Sequence, residues 1–293
     1  MAQAQASAGE VTITSPGRVV YAGPHITKAQ VADYYAQVGR WILPDLVRRP
    51  LSVVRCPSGA DSECFFQKHH KAALGKRVRA VSLRQKSGLE EYIYVEDLPG
   101  LLQLVQMNTL EFHTWGSTID APESPDRIVF DLDPGDGVPW VEVTEAAREI
   151  RDRLRRQGLQ SFVRTSGGKG LHVVAPIARG SSWDQAKAYC GAFAEGLAAH
   201  RPGRYVANMS KARRPGKIFV DWLRNGRGAT SVCSWSLRAR ENATVAVPLR
   251  WEDLCAVTSP DQFTMAQALQ RASRLRKDPW EAMHLLVQEL PRG

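Results

Sequence analysis

The chain has 293 residues, 43% of them hydrophobic and 24% charged, with 39 lysines and arginines against 30 aspartates and glutamates for a net charge of +9. No stretch approaches the ~20 apolar residues of a membrane span, and the small, polar residues 1–9 lack the basic-then-apolar order of a signal peptide, so a membrane or secreted protein is not expected. The basic excess, which recurs at Arg48 and Arg49, at Lys68 and Lys71, at Lys76, Arg77 and Arg79, at Lys211, Arg213 and Arg214, and over 271–277, favours a polyanionic partner through release of counterions from phosphates.

Taken in chain order, residues 1–10 read as a flexible tail ahead of one mixed α/β domain over 11–293. The first strong helix spans 27–43: Thr27 and Gln30 can form a capping box, Val31, Tyr34, Tyr35, Val38, Trp41 and Ile42 recur at helical spacing, and Pro44 closes the run. Strand-like runs follow at 51–55, 64–67, 78–83 and 91–95, then a short helix at 98–107, strands at 110–115 and 127–133, and an amphipathic helix at 144–156. Strands at 161–165 and 171–176 flank a glycine-rich turn, and a helix covers 183–200. Strands at 218–222, 230–234 and 244–247 and short helices at 264–274 and 279–290 complete the chain. Strands and helices mix throughout, which predicts mixed sheets in two lobes flanked by helices.

The five cysteines, Cys56, Cys64, Cys190, Cys233 and Cys255, form no CxxC pair. An odd count without a secretion signal predicts reduced thiols and a cytoplasmic protein. Cys56 and Cys64 with His69 or His70 fit no zinc-knuckle spacing, so packed or surface thiols are expected.

The most informative segment is Arg127-Ile-Val-Phe-Asp-Leu-Asp-Pro134, three apolar residues leading into two aspartates one residue apart. Side chains alternate faces along a strand, so Asp131 and Asp133 point the same way. Two carboxylates so close repel unless a cation lies between them, and a hard divalent ion takes such oxygens. Pro134 is expected to end strand pairing and leave the pair at a sheet end. Lys217-Ile-Phe-Val-Asp221-Trp222 is a second apolar strand ending on a carboxylate, which a two-metal site would need. The plainer alternatives are an exposed acidic strand end for the pair, and an ion pair with Arg224 or Arg227 for Asp221.

Thr165-Ser-Gly-Gly-Lys-Gly-Leu-His172 lies between two expected strands. Its glycines permit positive φ and close approach of backbone N–H groups to a ligand. Ser166 supplies a hydroxyl, Lys169 a charge and His172 an imidazole, which together suit a triphosphate. The spacing is not that of a Walker A loop, and an ordinary glycine-rich hairpin is the plainer alternative. In Ser234-Trp-Ser-Leu-Arg-Ala-Arg240, Arg238 and Arg240 would share a strand face and suit phosphate or template, or else lie on a solvated edge.

Asp131-Leu-Asp-Pro134, Ser166-Gly-Gly-Lys-Gly-Leu-His172, Phe219-Val-Asp-Trp222 and Ser236-Leu-Arg-Ala-Arg240 occur in this order, and the chain from about Val11 onward resembles the polymerase domains of bacterial ATP-dependent DNA ligase D, within the archaeo-eukaryotic primase superfamily. The resemblance implies a primase-type α/β fold with Asp131, Asp133 and Asp221 holding two manganese or magnesium ions. It implies Ser166, Lys169, His172, Arg238 and Arg240 on the phosphates of a nucleoside triphosphate, with His113 near the nucleotide and Arg55 as a further basic contact. Phe65 and Phe66 match a family aromatic pair; as strand neighbours they face opposite ways, so one is expected on nucleic acid and the other in the core. Arg18 and Lys28 match its 5′-phosphate pocket, Lys28 in the first turn of a capped helix where free N–H groups favour an anion.

The implied activity is ribonucleotide-preferring extension of primer 3′ ends at gaps and double-strand breaks during non-homologous end joining. Implied partners are DNA ends and gapped duplex, nucleotides, a ligase domain in the same full-length protein and a Ku-type end-binding protein; the implied location is the bacterial cytoplasm, at the nucleoid during repair. Two rivals use the same residues. A metal-dependent nuclease would share the carboxylates but has no triphosphate for the turn to hold. A non-catalytic end-bridging module would explain the basic pocket but not three aspartates at strand ends.

Overall fold

The computed structural model describes residues 5–8 and 11–291, and the chain folds into two compact units. The first takes in the chain up to Thr114 with Val232–Ala246 and Phe263–Leu275; the second takes in Trp115–Ser231, Val247–Gln262 and the chain from Arg276 on.

In the first unit, β1 (Gln5–Ala8) pairs antiparallel with β2 (Val11–Thr14), so part of the segment read as a tail is a strand; Met1–Ala4, Gly9 and Glu10 of that segment lie outside the described residues. β3 (Val19–Tyr21) and β4 (Ile26–Thr27) form a ribbon leading into α1 (Lys28–Leu46). α1 starts where its capping box requires: Thr27 Oγ1 accepts from Gln30 N at 3.4 Å, and Gln30 Oε1 accepts from Thr27 N at 2.7 Å. Its end differs from expectation. Pro44 lies inside the helix, and Val47 N still donates to Leu43 O at 2.9 Å. A proline forfeits its own donor and crowds the carbonyl four residues back, and here only one turn follows it. That turn is anchored from outside, since the buried Asp45 carboxylate accepts from Ser234 N at 2.9 Å.

β5 (Leu51–Arg55), β6 (Phe65–Gln67), β7 (Arg79–Gln85), β8 (Gly88–Tyr94) and β9 (Thr109–Trp115) build the sheet of this unit, ordered β9-β5-β8-β7 with β6 also on β5. α2 (Leu98–Gln106), capped by Asp97, packs on α1. The expectation of reduced thiols fails at one point: Cys56 and Cys64 form a disulfide, with Cα atoms 4.4 Å apart. The turn between them folds back through Gly59 N to Cys56 O and Ser62 N to Gly59 O, a closure that spacing alone does not reveal. Cys190, Cys233 and Cys255 stand outside any disulfide, the first two buried and the third exposed, with Cys233 Sγ donating to Asp45 Oδ2 at 3.5 Å.

The second unit runs through β10 (Arg127–Pro134), α3 (Trp140–Arg156), β11 (Phe162–Thr165), β12 (Leu171–Pro176), α4 (Trp183–His200), β13 (Tyr205–Val206) and β14 (Ile218–Asp221). After β15 (Thr230–Val232), where the chain returns to the first unit, β16 (Pro248–Leu249) completes a six-stranded sheet ordered β13-β14-β10-β12-β11-β16. Its pairings are antiparallel except β13 with β14. Pro134 is the last residue of β10, as expected, and is itself still paired opposite Ile218, because a proline at a strand end loses only its own donor. Central β10 has apolar cover on both faces: Phe130 meets Phe193 of α4 at 4.7 Å between centroids, and Val129 joins Val174, Trp280 and Met283. α5 (Met265–Arg274) starts at the capping box of Thr264 and Gln267 and packs on α1 in the first unit.

Two expected elements are not formed. The strand at 244–247 is reduced to isolated bridges, Thr244 with Thr264 and Leu237 with Val245. The helix at 279–290 is a single 3-10 turn, Glu281–His284. Its apolar run finds no face to bury, Leu285 and Val287 being 78% and 84% exposed, while the Gln288 side chain donates to the carbonyls of Gln160 at 2.9 Å and Pro176 at 2.7 Å.

Candidate active site

The sequence-predicted residues divide between the units: Asp131, Asp133, Asp221, Ser166, Lys169 and His172 in the second, and His113, Arg238, Arg240, Arg55, Phe65, Phe66, Arg18 and Lys28 in the first.

In the second unit, register does what spacing could not. Asp131 of β10 stands opposite Asp221 of β14 on one side and His172 of β12 on the other, and His172 stands opposite Arg164 of β11. Directly opposed residues of antiparallel strands project to the same face, so the four side chains form a row. Arg224 Nε lies 3.3 Å from Asp131 and 3.2 Å from Asp221, a cation shared by two carboxylates. The ion pair of Asp221 with Arg224, one of the two readings of this residue, is therefore present, and it joins Asp221 to Asp131 through the same guanidinium. Asp133, two residues along β10, pairs with Arg214 at 2.7 Å.

Burial, with Asp131 nearby, pushes Asp133 above the usual carboxylate range; burial likewise raises Asp221, against the opposing pull of Arg224. These are carboxylates that gain from a cation. Among the described residues no three His, Cys, Asp or Glu side chains already converge as a metal cage. Their oxygens instead face guanidinium groups. An all-oxygen donor set whose pKa values are raised, drawn around a positive charge, suits a hard divalent cation.

The turn after β11 packs against this strand. Ser166 Oγ accepts from Gly168 N at 3.2 Å and Gly170 N at 3.3 Å, so the serine expected to meet phosphate also shapes the turn. Of its glycines, Gly167 takes φ of 64°. Gly170 serves close approach instead: a Cβ there would lie 1.7 Å from Leu132 O, the carbonyl between the two aspartates. Lys169 stands exposed at the tip, 3.8 Å from Asp136. His172 is buried, and burial lowers its pKa, with Asp131 opposing and Arg164 assisting.

In the first unit, Glu111 is the organising residue that sequence reading missed. It is 5% exposed, and its carboxylate meets His113 Nε2 at 2.7 Å, Arg238 Nε at 3.0 Å and Ala239 N at 2.7 Å. Burial alone would raise its pKa, but the His113 bond, the Arg238 charge and the Ala239 amide together hold it at about 2. The signal available was Leu110-Glu-Phe-His113, a carboxylate and a histidine at strand spacing. Glu111→Gln should lower the melting temperature at pH 7. Because the wild-type carboxylate is held low, its stabilisation is present above the unfolded value of 4.5 and is lost as pH falls through about 2. The gap between mutant and wild type should therefore close in acid, and a pH-independent gap would refute the assignment.

Arg238 and Arg240 do not share a strand face. Their segment is irregular, with Trp235 at φ 66°, and is held by buried tyrosines, Tyr21 Oη donating to Arg238 O at 2.8 Å and Tyr34 Oη to Trp235 O at 2.8 Å. Arg238 thus turns onto Glu111 while Arg240 is exposed. Phe65 and Phe66 also depart from expectation: neither fills the core, being 44% and 66% exposed on the short β6, whose single buried residue is Gln67. Phe66 meets the His113 ring edge-on at 5.6 Å, and Arg55 lies 5.5 Å over Phe65. Arg55 also donates to Met107 O at 2.8 Å and Gln67 Oε1 at 2.7 Å.

Arg18 and Lys28 adjoin: Lys28 N donates to Arg18 O at 2.8 Å, and Arg18 is oriented by Pro57 O and the Asn108 side chain. Burial, then the Arg18 charge, lowers Lys28 to about 8.

Comparison with known proteins gives a consistent result. The family model described as LigD, primase-polymerase domain, matches residues 27–280. The multifunctional non-homologous end joining protein LigD of Pseudomonas aeruginosa is 37% identical over 94% of this chain and 33% of its own length. The bifunctional LigD of Bacillus subtilis is 29% identical over 90% of this chain and 43% of its own length. The chain therefore spans a third to under half of these relatives. The polymerase domain of Mycobacterium tuberculosis ligase D, solved in complex with DNA, superposes with a TM-score of 0.87 at 31% identity, covering 94% of this chain and 98% of that one.

Proposed function

Because the chain belongs to the family of LigD primase-polymerase domains, we propose that it is a nucleotidyltransferase that extends primer 3′ ends at DNA gaps and double-strand breaks during non-homologous end joining, with a preference for ribonucleotides. The observation that carries this reading is the carboxylate row of the second unit lying beside the serine–glycine–lysine turn. Asp131, Asp133 and Asp221 would hold two manganese or magnesium ions. When bound, such ions would acidify the primer 3′-hydroxyl and neutralise the leaving pyrophosphate. The chain's own groups bind and orient. Ser166, Lys169 and His172 would meet the triphosphate, and within the first unit Glu111 holds Arg238 and His113, which would serve the nucleotide. Stabilisation by positioned charge, with no covalent intermediate, is the general logic of such transfers.

Lys28 and Arg18 would receive the 5′-phosphate across the gap. A lysine is cationic below its pKa and neutral above it, so its attraction for phosphate is complete below about 8 and lost above. Bound phosphate raises that pKa, placing the midpoint at or above this value. The advantage of a 5′-phosphorylated over a 5′-hydroxyl gap should shrink several-fold from pH 7 to pH 10, roughly as one phosphate contact is lost, and Lys28→Arg should flatten the dependence. A wild-type advantage constant over this range would remove Lys28 from the pocket.

The test of the function is extension of a labelled primer on a gapped duplex with a downstream 5′-phosphate, in manganese, with ribo- or deoxynucleotides. Extension favouring ribonucleotides and absent in Asp221→Ala supports it. Tight binding without extension would favour the end-bridging module, and loss of labelled DNA without nucleotides would favour the nuclease.

A further inference from the structure

The row across the second unit's sheet ends in a residue that the nucleotidyltransferase chemistry does not call for. Arg164 is 1% exposed, on a strand whose neighbouring Val163 is also fully buried. A guanidinium cannot shed its charge, and burying one is costly unless its donors are engaged. Here Nε donates to His172 Nδ1 at 3.3 Å, Nη2 donates to Ser231 Oγ at 3.2 Å, and the plane lies 5.2 Å over the Trp280 ring. All of these groups belong to one unit.

The direction of the first bond decides the state of the histidine. Arginine nitrogens only donate, so His172 Nδ1 must accept, and the neutral ring then carries its proton on Nε2. That nitrogen faces Asp131 Oδ1 at 3.4 Å. The other tautomer would set a lone pair against the Asp131 carboxylate and a hydrogen against the arginine, unfavourable on both sides.

We propose that Arg164 is a positioning residue that fixes His172 as the Nε2–H tautomer, with its donor aimed along the row toward the carboxylates. What that donor serves, an anionic oxygen of the incoming triphosphate, rests on the polymerase reading. The tautomer itself does not. A ring locked this way presents a hydrogen to phosphate without reorientation, whereas a ring free to exchange tautomers presents a repelling lone pair part of the time.

The test has two arms. Metal-free protein labelled with [15N]histidine is examined by long-range proton–nitrogen correlation, with His172→Gln identifying the resonances. The wild type should show His172 bare at Nδ1 and protonated at Nε2, Arg164→Met should show mixed or inverted tautomers, and Arg164→Lys, which keeps a donor, should restore the wild-type pattern. In primer extension, Arg164→Met should raise the nucleotide KM about tenfold with kcat changed less than about threefold, and should cost nothing further in a His172→Gln background. A wild-type ring protonated at Nδ1 overturns the proposal, as do an unchanged tautomer and KM in Arg164→Met, or losses that multiply in the double variant. The wild-type spectrum needs no variant, so the assignment is decided even if Arg164→Met is unstable. Wild-type protein that shows the Nε2–H tautomer but never extends a primer would overturn the polymerase reading and leave the role of Arg164 standing.

Discussion

Asp131→Ala should slow primer extension by at least about 10³-fold, a loss of about 4 kcal/mol from the transition state, while leaving affinity for gapped duplex within about twofold. The asymmetry follows from where Asp131 lies. It is the central member of the row, opposite Asp221 on one strand and His172 on the other, and it shares Arg224 with Asp221 at 3.3 and 3.2 Å. Removing it takes a carboxylate from the proposed cation site and leaves the His172 donor without its partner. DNA, a polyanion, gains nothing from an aspartate, so binding is spared. Folding should also be spared, because Asp131 raises the pKa of both Asp133 and Asp221 and its removal relieves that repulsion. Single-turnover extension, fluorescence anisotropy on DNA and a thermal melt check the three parts separately. Extension within tenfold of wild type would show that these carboxylates are not the reacting centre.

Gly170→Ala should be nearly as damaging by a different route. Its Cβ would lie 1.7 Å from Leu132 O and 2.9 Å from Leu132 C, backbone atoms of the central strand that cannot swing aside. Either the strand pairing of Leu132 with Leu171 opens or the turn lifts away, breaking the bonds of Ser166 Oγ to Gly168 N and Gly170 N. Overpacking of this kind costs roughly 1–3 kcal/mol and occasionally more. The melting temperature should fall by several degrees, and nucleotide KM should rise by more than the change in stability accounts for. Gly137→Ala is the control: nothing lies within 4 Å of a Cβ there, although φ of 85° imposes modest strain. Equal effects from the two substitutions would mean that generic loss of glycine, rather than approach to the aspartate strand, limits the turn.

Much of the site was legible in the residues because it depends on local periodicity. Alternation along 127–133 puts Asp131 and Asp133 on one face, and the capping boxes at Thr27 and Thr264 start their helices where expected. The ordered motifs were enough to name the family. What the residues could not announce are relations between distant strands. Arg164 and Glu111 carry no local signature: one is a charged residue inside an apolar strand, the other a carboxylate two residues before a histidine. Their roles appear only once register sets Arg164 opposite His172 and the irregular 233–239 segment brings Arg238 and the Ala239 amide to Glu111.

The errors have the same origin. Phe65 and Phe66 alternate faces, but alternation buries a side chain only where a second layer exists to cover it. The apolar run at 285–287 has helical composition and no surface to pack on. The disulfide of Cys56 and Cys64 depends on a turn that closes over Gly59. Sequence determines which faces individual elements offer; only the tertiary structure, through strand register and the presence or absence of a covering layer, decides which of those faces meet and so which charges come to act together.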